Sequence, residues 1–121
     1  MTTVLLVEDS LTETQLLSRY LRQAGLIVVS AANCEEARIR LRSQPPDLVL
    51  LDVILPGQSG FELCRELKTQ SSTAQIPVVL CSTKGTDVDK LWGAMLGADA
   101  YLPKPVDQKE LTKTVLRLTA V

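Results

Sequence analysis

The sequence predicts an α/β domain, a five-stranded parallel sheet in the order 2-1-3-4-5 with five helices on its two faces. Three observations carry that prediction. Short, uninterrupted apolar runs recur along the chain, as in strands buried on both faces. Segments with a helical period near 3.6 lie between them. The helical segments open on capping residues with an acid three positions on. Alternating strands and helices close into a parallel sheet through right-handed crossovers, and five strands fit the 2-1-3-4-5 doubly wound order better than the six-stranded one.

Each element can be justified in turn. Val4-Leu5-Leu6-Val7 forms the first strand, and Ser10 with Glu13 opens the first helix, which Gly25 closes. Leu26-Ile27-Val28-Val29 is the second strand, followed by a helix capped by Asn33 with Glu36. Leu48-Val49-Leu50-Leu51 is the third, and Ser59 with Glu62 starts the helix after it. Val78-Val79-Leu80-Cys81 is the fourth, and the next helix begins at Thr86 with Asp89. That helix carries the clearest stripe, Val88, Leu91, Trp92, Met95 and Leu96, which predicts a core-facing side with Trp92 on or beside it. Gly97 closes it, Ala100-Tyr101-Leu102 is the fifth strand, and Asp107 with Glu110 opens a last helix striped by Leu111, Thr114, Val115 and Leu118. The arrangement is flavodoxin-like.

Composition bounds the function. The 121 residues support one domain, 1–121, with no output domain after it. At 45% apolar and 3% aromatic, the core is aliphatic and the chain is not disordered. A net charge of −1 argues against a nucleic-acid partner. No run approaches the roughly 18 apolar residues of a membrane span, so no membrane insertion is expected. The N-terminus lacks a charged, cleavable leader, which points to a cytoplasmic protein. Cys34, Cys64 and Cys81 are odd in number and widely spaced, as buried free thiols are. With no histidine, His-based acid–base catalysis, His metal ligation and self-phosphorylation on histidine are all excluded.

In the 2-1-3-4-5 order the chain reverses between strands 1 and 3, and ligands bind beyond their C-terminal ends. Strand 1 ends in Glu8-Asp9 and strand 3 in Asp52. Three carboxylates so placed repel one another unless a cation neutralises them. Mg²⁺ is the fitting ion, since it takes one or two carboxylates, waters and a phosphate oxygen. An acid there could simply cap the next helix, but Ser10 already serves as cap, and no helix begins directly after Asp52. Strand 4 adds Ser82 and Thr83 to this rim and strand 5 adds Lys104-Pro105, a hydroxyl and an ammonium suited to a phosphoryl group.

Across nearly its whole length the chain resembles the receiver domain of two-component response regulators. The matching stretches are Val4 to Ser10, Pro46 to Asp52, Leu55-Pro56-Gly57-Gln58-Ser59-Gly60, Ile76 to Ser82 and Gly97 to Pro105. The resemblance implies that Asp52 accepts a phosphoryl group from the phosphohistidine of a histidine kinase. It implies Mg²⁺ held by Asp9, Glu8, Asp52 and the main-chain carbonyl of Ile54. Lys104 would pair with Asp52 beforehand and then hold a phosphate oxygen, aimed by a cis Lys104–Pro105 bond. Ser82 and Tyr101 stand where the family has its switch hydroxyl and switch aromatic. Their movement would alter the face made by the fourth helix, fifth strand and fifth helix, where a downstream target protein binds.

Some positions depart from the commonest pattern. Ile54 is apolar and Lys84 basic at two places that govern phosphate loss in this family. An apolar group cannot orient an attacking water, so slow self-dephosphorylation is expected. Val106 replaces a frequent Phe as core packing. Thr83-Lys84 with Leu91-Trp92-Gly93 resembles stand-alone regulators of the chemotaxis and type IV pilus twitching-motility kind. Three other readings compete. A haloacid-dehalogenase-type phosphatase needs a second acid where Ile54 stands. A flavodoxin-like electron carrier needs a phosphate loop where Glu8-Asp9 stand. A module signalling without phosphorylation does not need the full set of site residues.

Overall fold

The computed structural model describes residues 1–84 and 86–120. Ten elements alternate along the chain: β1 (Thr3–Val7), α1 (Leu11–Gln23), β2 (Ile27–Ala31), α2 (Cys34–Ser43), β3 (Leu48–Asp52), α3 (Gly60–Thr69), β4 (Val78–Ser82), α4 (Asp87–Met95), β5 (Ala100–Pro103) and α5 (Gln108–Thr119). The strands are all parallel and lie in the order β2-β1-β3-β4-β5, as the alternation predicts.

The predicted caps close the helix starts. The side chains of Ser10, Asn33, Ser59, Thr86 and Asp107 each accept a hydrogen bond from the backbone N–H three residues on. Gly25 and Gly97, at φ +83° and +95°, take the left-handed positions that end α1 and α4.

Two aliphatic layers sandwich the sheet. Leu5, Val7, Val49, Leu51 and Leu80 pack against Ala37, Leu41, Leu63 and Leu67 of α2 and α3. Val4, Leu6, Leu50 and Val79 pack against Leu17, Leu21, Leu111 and Val115 of α1 and α5. Successive residues of β1, β3 and β4 thus enter opposite layers, which explains their unbroken apolar runs. Val106 is buried in the second layer, as expected of a packing residue. Cys34, Cys64 and Cys81 are free and buried, and burial pushes the Cys81 thiol up to about 12.

Two expectations are corrected. The second strand begins at Ile27 rather than Leu26, and as an edge strand it is only partly buried. More consequentially, the stripe of α4 does not face the core. Val88, Leu91, Trp92 and Met95 are 76, 63, 49 and 70% exposed, and Gly93 is the one buried residue of that helix. A Cβ at Gly93 would lie 3.0 Å from Leu80 and 3.2 Å from Tyr101. The helix therefore rests on the sheet through its smallest residue, and its apolar side turns outward. No helix among the described residues is long and apolar enough to cross a membrane.

Candidate functional site

The switch point gathers the predicted acids. Val7 of β1 lies in register with Leu51 of β3, so Glu8 and Asp52 leave the sheet side by side. The Glu8 N–H donates to the Ala31 carbonyl at 3.0 Å, which fixes its backbone to the end of β2. Glu8 and Asp52 are buried and Asp9 is exposed, with one carboxylate oxygen of each within 4.8 Å of the others. This all-oxygen donor set, two-thirds buried and open on one side, fits a hard divalent cation such as Mg²⁺. A cleft of about 270 Å³ opens over it, lined also by Ser10, Glu13, Ile54, Thr83 and Lys104.

Gly60 lets the next helix approach the site. A Cβ there would sit 2.0 Å from the Asp52 carbonyl oxygen, and the Gly60 N–H donates to the Val53 carbonyl at 2.8 Å. The start of α3 is thereby clamped to the end of β3.

Lys104 enters from the end of β5, where its N–H donates to the Ser82 carbonyl at 2.9 Å and its bond to Pro105 is cis. Its ammonium donates to Glu8 and lies 3.5 Å from Asp52 Oδ2 and 4.0 Å from Glu13 Oε2. The expected pairing with Asp52 thus exists, but Glu8 is the nearer partner. The remaining Glu8 oxygen accepts from the Ser10 N–H at 3.1 Å, and Asp52 Oδ1 accepts from the Ile54 N–H at 3.4 Å.

These surroundings set the charges. Burial, reinforced by the Glu8 carboxylate, pushes Asp52 up to about 6, against the opposing pull of Lys104 and the Ile54 N–H. For Lys104, burial disfavours the ammonium, but the Glu8 hydrogen bond and the acidic groups around it prevail and hold its pKa above the ordinary value. At neutral pH the cleft therefore holds an ammonium facing clustered carboxylates.

Ser82 and Tyr101 meet through one residue. Ser82 is fully buried, and its Oγ accepts from the Lys84 N–H at 3.1 Å. The Tyr101 hydroxyl donates to the Lys84 carbonyl, with its half-buried ring over Gly93 and 6.5 Å from that of Phe61. Both backbone polar groups of Lys84 are thus engaged, the N–H by the hydroxyl at the end of β4 and the carbonyl by the aromatic beside α4.

One cleft residue, Glu13, has no part in the site that the sequence predicts. Glu13 stands in the first turn of α1, three residues after the Ser10 cap, and its Oε2 lies 4.0 Å from the Lys104 ammonium. Its reading as a capping partner obscured that.

Comparison with known proteins decides the family. A model of the response regulator receiver domain matches residues 4–116. The chain belongs to this family. Protein PilH of Pseudomonas aeruginosa is 40% identical over 115 residues, 95% of each chain. The phosphate regulon transcriptional regulatory protein PhoB of the same organism is 38% identical over 97% of this chain, which spans about half of PhoB (52%). Among solved structures, chemotaxis protein CheY4 of Vibrio cholerae superposes with a TM-score of 0.90 at 32% identity, covering 98% of both chains. The signal receiver domain of a DNA-binding response regulator from Colwellia psychrerythraea gives 0.93 at 28% identity, covering all of both. Membership favours a signalling protein over the phosphatase and the electron carrier, and matches the flavodoxin-like sheet order.

Proposed function

We propose that the chain is a cytoplasmic phospho-accepting receiver whose acceptor is Asp52. The carrying observation is a buried carboxylate held between two further acids and an ammonium at the switch point. An Asp52 oxygen attacks phosphorus, the P–N bond of a kinase phosphohistidine breaks, and the imidazole leaves with its electron pair. Glu8, Asp9, Asp52 and the Ile54 carbonyl would hold Mg²⁺, which when bound supplies positive charge to the transferring phosphoryl oxygens. Lys104 supplies the second positive charge, exchanging Asp52 and Glu8 for a phosphate oxygen.

The signal then leaves through Lys84. Drawn to the phosphoryl group, the Ser82 hydroxyl releases the Lys84 N–H. The segment carrying the Lys84 carbonyl shifts, Tyr101 loses its acceptor, and its ring turns inward beside Gly93. The surface of α4, β5 and α5 is thereby altered for a downstream partner protein, a two-state bias set by a covalent ligand. Likeness to PilH over 95% of both chains and to a chemotaxis protein supports a place in motility or chemotaxis-type signalling. The apolar Ile54 side chain, 52% exposed at the cleft, supports slow self-dephosphorylation.

Incubation with a small acyl-phosphate donor, followed by intact mass measurement, tests this reading. One phosphoryl adduct is expected in Mg²⁺, and none in chelator or in Asp52→Asn. An adduct formed equally without Mg²⁺ or without Asp52 contradicts it.

A further inference from the structure

Glu13 is the one acid of the cleft that neither the cation nor the phosphoryl transfer uses. An acid three positions after a capping serine ordinarily reaches back to the serine N–H and completes a reciprocal box. Here only half of that box is made. Ser10 Oγ accepts from the Glu13 N–H at 3.3 Å, but the Ser10 N–H donates to Glu8 Oε2 at 3.1 Å instead. The Glu13 carboxylate is thereby released toward the cleft, where its Oε2 lies 4.0 Å from the Lys104 ammonium. Of the three carboxylates around that ammonium it is the outermost, its side chain 35% exposed against 7% for Asp52 and 2% for Glu8. Nor does it belong to the acids, Glu8, Asp9 and Asp52, whose oxygens lie within 4.8 Å of one another. A cation held by those three leaves the Glu13 charge facing the mouth of the cleft.

We infer that Glu13 determines which phosphodonors the cleft accepts, disfavouring small anionic donors in proportion to their negative charge; this rests on the reading of Asp52 as acceptor and Lys104 as holder of a phosphate oxygen. The cleft is lined by four carboxylates, Glu8, Asp9, Glu13 and Asp52, against the single ammonium of Lys104. A divalent cation reduces that excess to one negative charge, and Glu13 is the carboxylate that the cation does not take up. An arriving anion meets it twice. At the mouth Glu13 repels the donor through water, where a unit charge a few ångströms away changes a rate by a factor of a few. Inside, it competes with the phosphoryl oxygens for Lys104. That ammonium has three N–H donors, and once Glu8 and Asp52 serve the cation, Glu13 is its remaining carboxylate partner among the described residues. Both effects grow with the charge of the donor. A phosphoryl group carried on a protein differs, since the protein surface can set a cation against Glu13.

Two donors of different charge test this: acetyl phosphate, dianionic at neutral pH, and phosphoramidate, with one net negative charge. In each case an Asp52 oxygen attacks phosphorus. The P–O bond of the first breaks and acetate leaves with its electron pair; the P–N bond of the second breaks and ammonia leaves from the protonated nitrogen with its pair. Adduct formation is timed by intact mass in saturating Mg²⁺ for the wild type and Glu13→Gln. Glutamine keeps the side-chain length and suits the same helix position, so an unchanged melting temperature is expected. The variant is expected to react at least about threefold faster with acetyl phosphate and to gain less with phosphoramidate. Both gains shrink toward about 1 M salt, where charges are screened beyond about 3 Å. Mg²⁺ affinity, read by calorimetry on the unphosphorylated chain, is expected to fall by less than about threefold. Equal or slower reaction of Glu13→Gln with acetyl phosphate overturns the inference. So does an equal gain with both donors, which marks a structural effect and not a charge effect. A loss of about tenfold or more in Mg²⁺ affinity overturns it too, because Glu13 is then a ligand of the cation. A wild type that forms no adduct with either donor defeats the acceptor reading itself, and the role of Glu13 falls with it.

Discussion

Replacing Asp52 with Asn removes a negative charge from a place where the apo protein holds it at a cost. In the fold the carboxyl titrates at about 6 against an ordinary 3.8. At about 1.4 kcal/mol per tenfold change in acidity, keeping it ionised at neutral pH costs up to about 3 kcal/mol. Relaxation and local solvation reduce that, and Asn must satisfy its own amide, so a net gain of about 1–2 kcal/mol is expected for Asp52→Asn without metal. For a domain of this size that raises the melting temperature by roughly 3–10 °C.

The pH dependence carries the sign. Because the folded pKa exceeds the unfolded one, the native state binds the extra proton between about pH 4 and 6, and wild-type stability falls as pH rises through that window. The advantage of Asn is therefore largest above about pH 7 and shrinks toward zero near pH 4, where both proteins carry a neutral group. Saturating Mg²⁺ reverses the comparison, since ligand at a hundredfold its Kd stabilises by about 2.7 kcal/mol and the variant has lost one carboxylate. Thermal melts followed by circular dichroism, in chelator and in Mg²⁺ across that pH range, measure all three. A variant less stable than wild type at pH 7 in chelator, with a gap that does not change toward pH 4, would refute the electrostatic reasoning.

Other perturbations probe separate parts of the account. Gly60→Ala drives a methyl into the Asp52 carbonyl, so a loss of more than about 2 kcal/mol is expected in denaturant melts, and an unchanged midpoint would show that α3 can shift freely. Lys104→Met leaves Glu8 and Asp52 facing each other unpaired. It is expected to lower stability at pH 7 by about 2 kcal/mol or more, to recover as the pH falls toward about 6, because without the ammonium Asp52 takes up its proton at a higher pH than in the wild type, and to abolish adduct formation in the mass assay. Asn33→Ala removes the cap on the Glu36 N–H, for an expected loss of about 1 kcal/mol with adduct formation intact. Ile54→Asn introduces a group able to orient water, and the adduct is expected to decay several-fold faster. Equal decay would sink the explanation for slow dephosphorylation.

Legibility in the sequence followed burial. The runs at Val4–Val7, Leu48–Leu51 and Val78–Cys81 are covered on both faces, so composition alone marks them. Ile27–Ala31 lies at an edge with one side partly wet, and its start was misplaced by one residue. Capping chemistry is local, and Ser10, Asn33, Ser59, Thr86 and Asp107 were readable without tertiary knowledge. The α4 stripe shows the opposite case. Periodicity reports that a helix has an apolar side, but Gly93 decided which side met the sheet, through close approach to Leu80 and Tyr101. Within the site, strand order was enough to converge Glu8, Asp9 and Asp52. The choice of Glu8 as the first partner of Lys104, and the entry of Glu13 into the cleft, depend on side-chain reach that strand order does not encode.

The central claim is that Asp52, and not a neighbouring acid, carries the phosphoryl group. Borohydride reduction of the phosphorylated chain, followed by peptide sequencing in the mass spectrometer, addresses it directly, because an acyl phosphate is reduced to the alcohol and marks its own position. Homoserine at position 52, with Glu8, Asp9 and Glu13 unmodified, is the predicted result. Reduction at any of those three acids, or an adduct that borohydride leaves untouched, would contradict it.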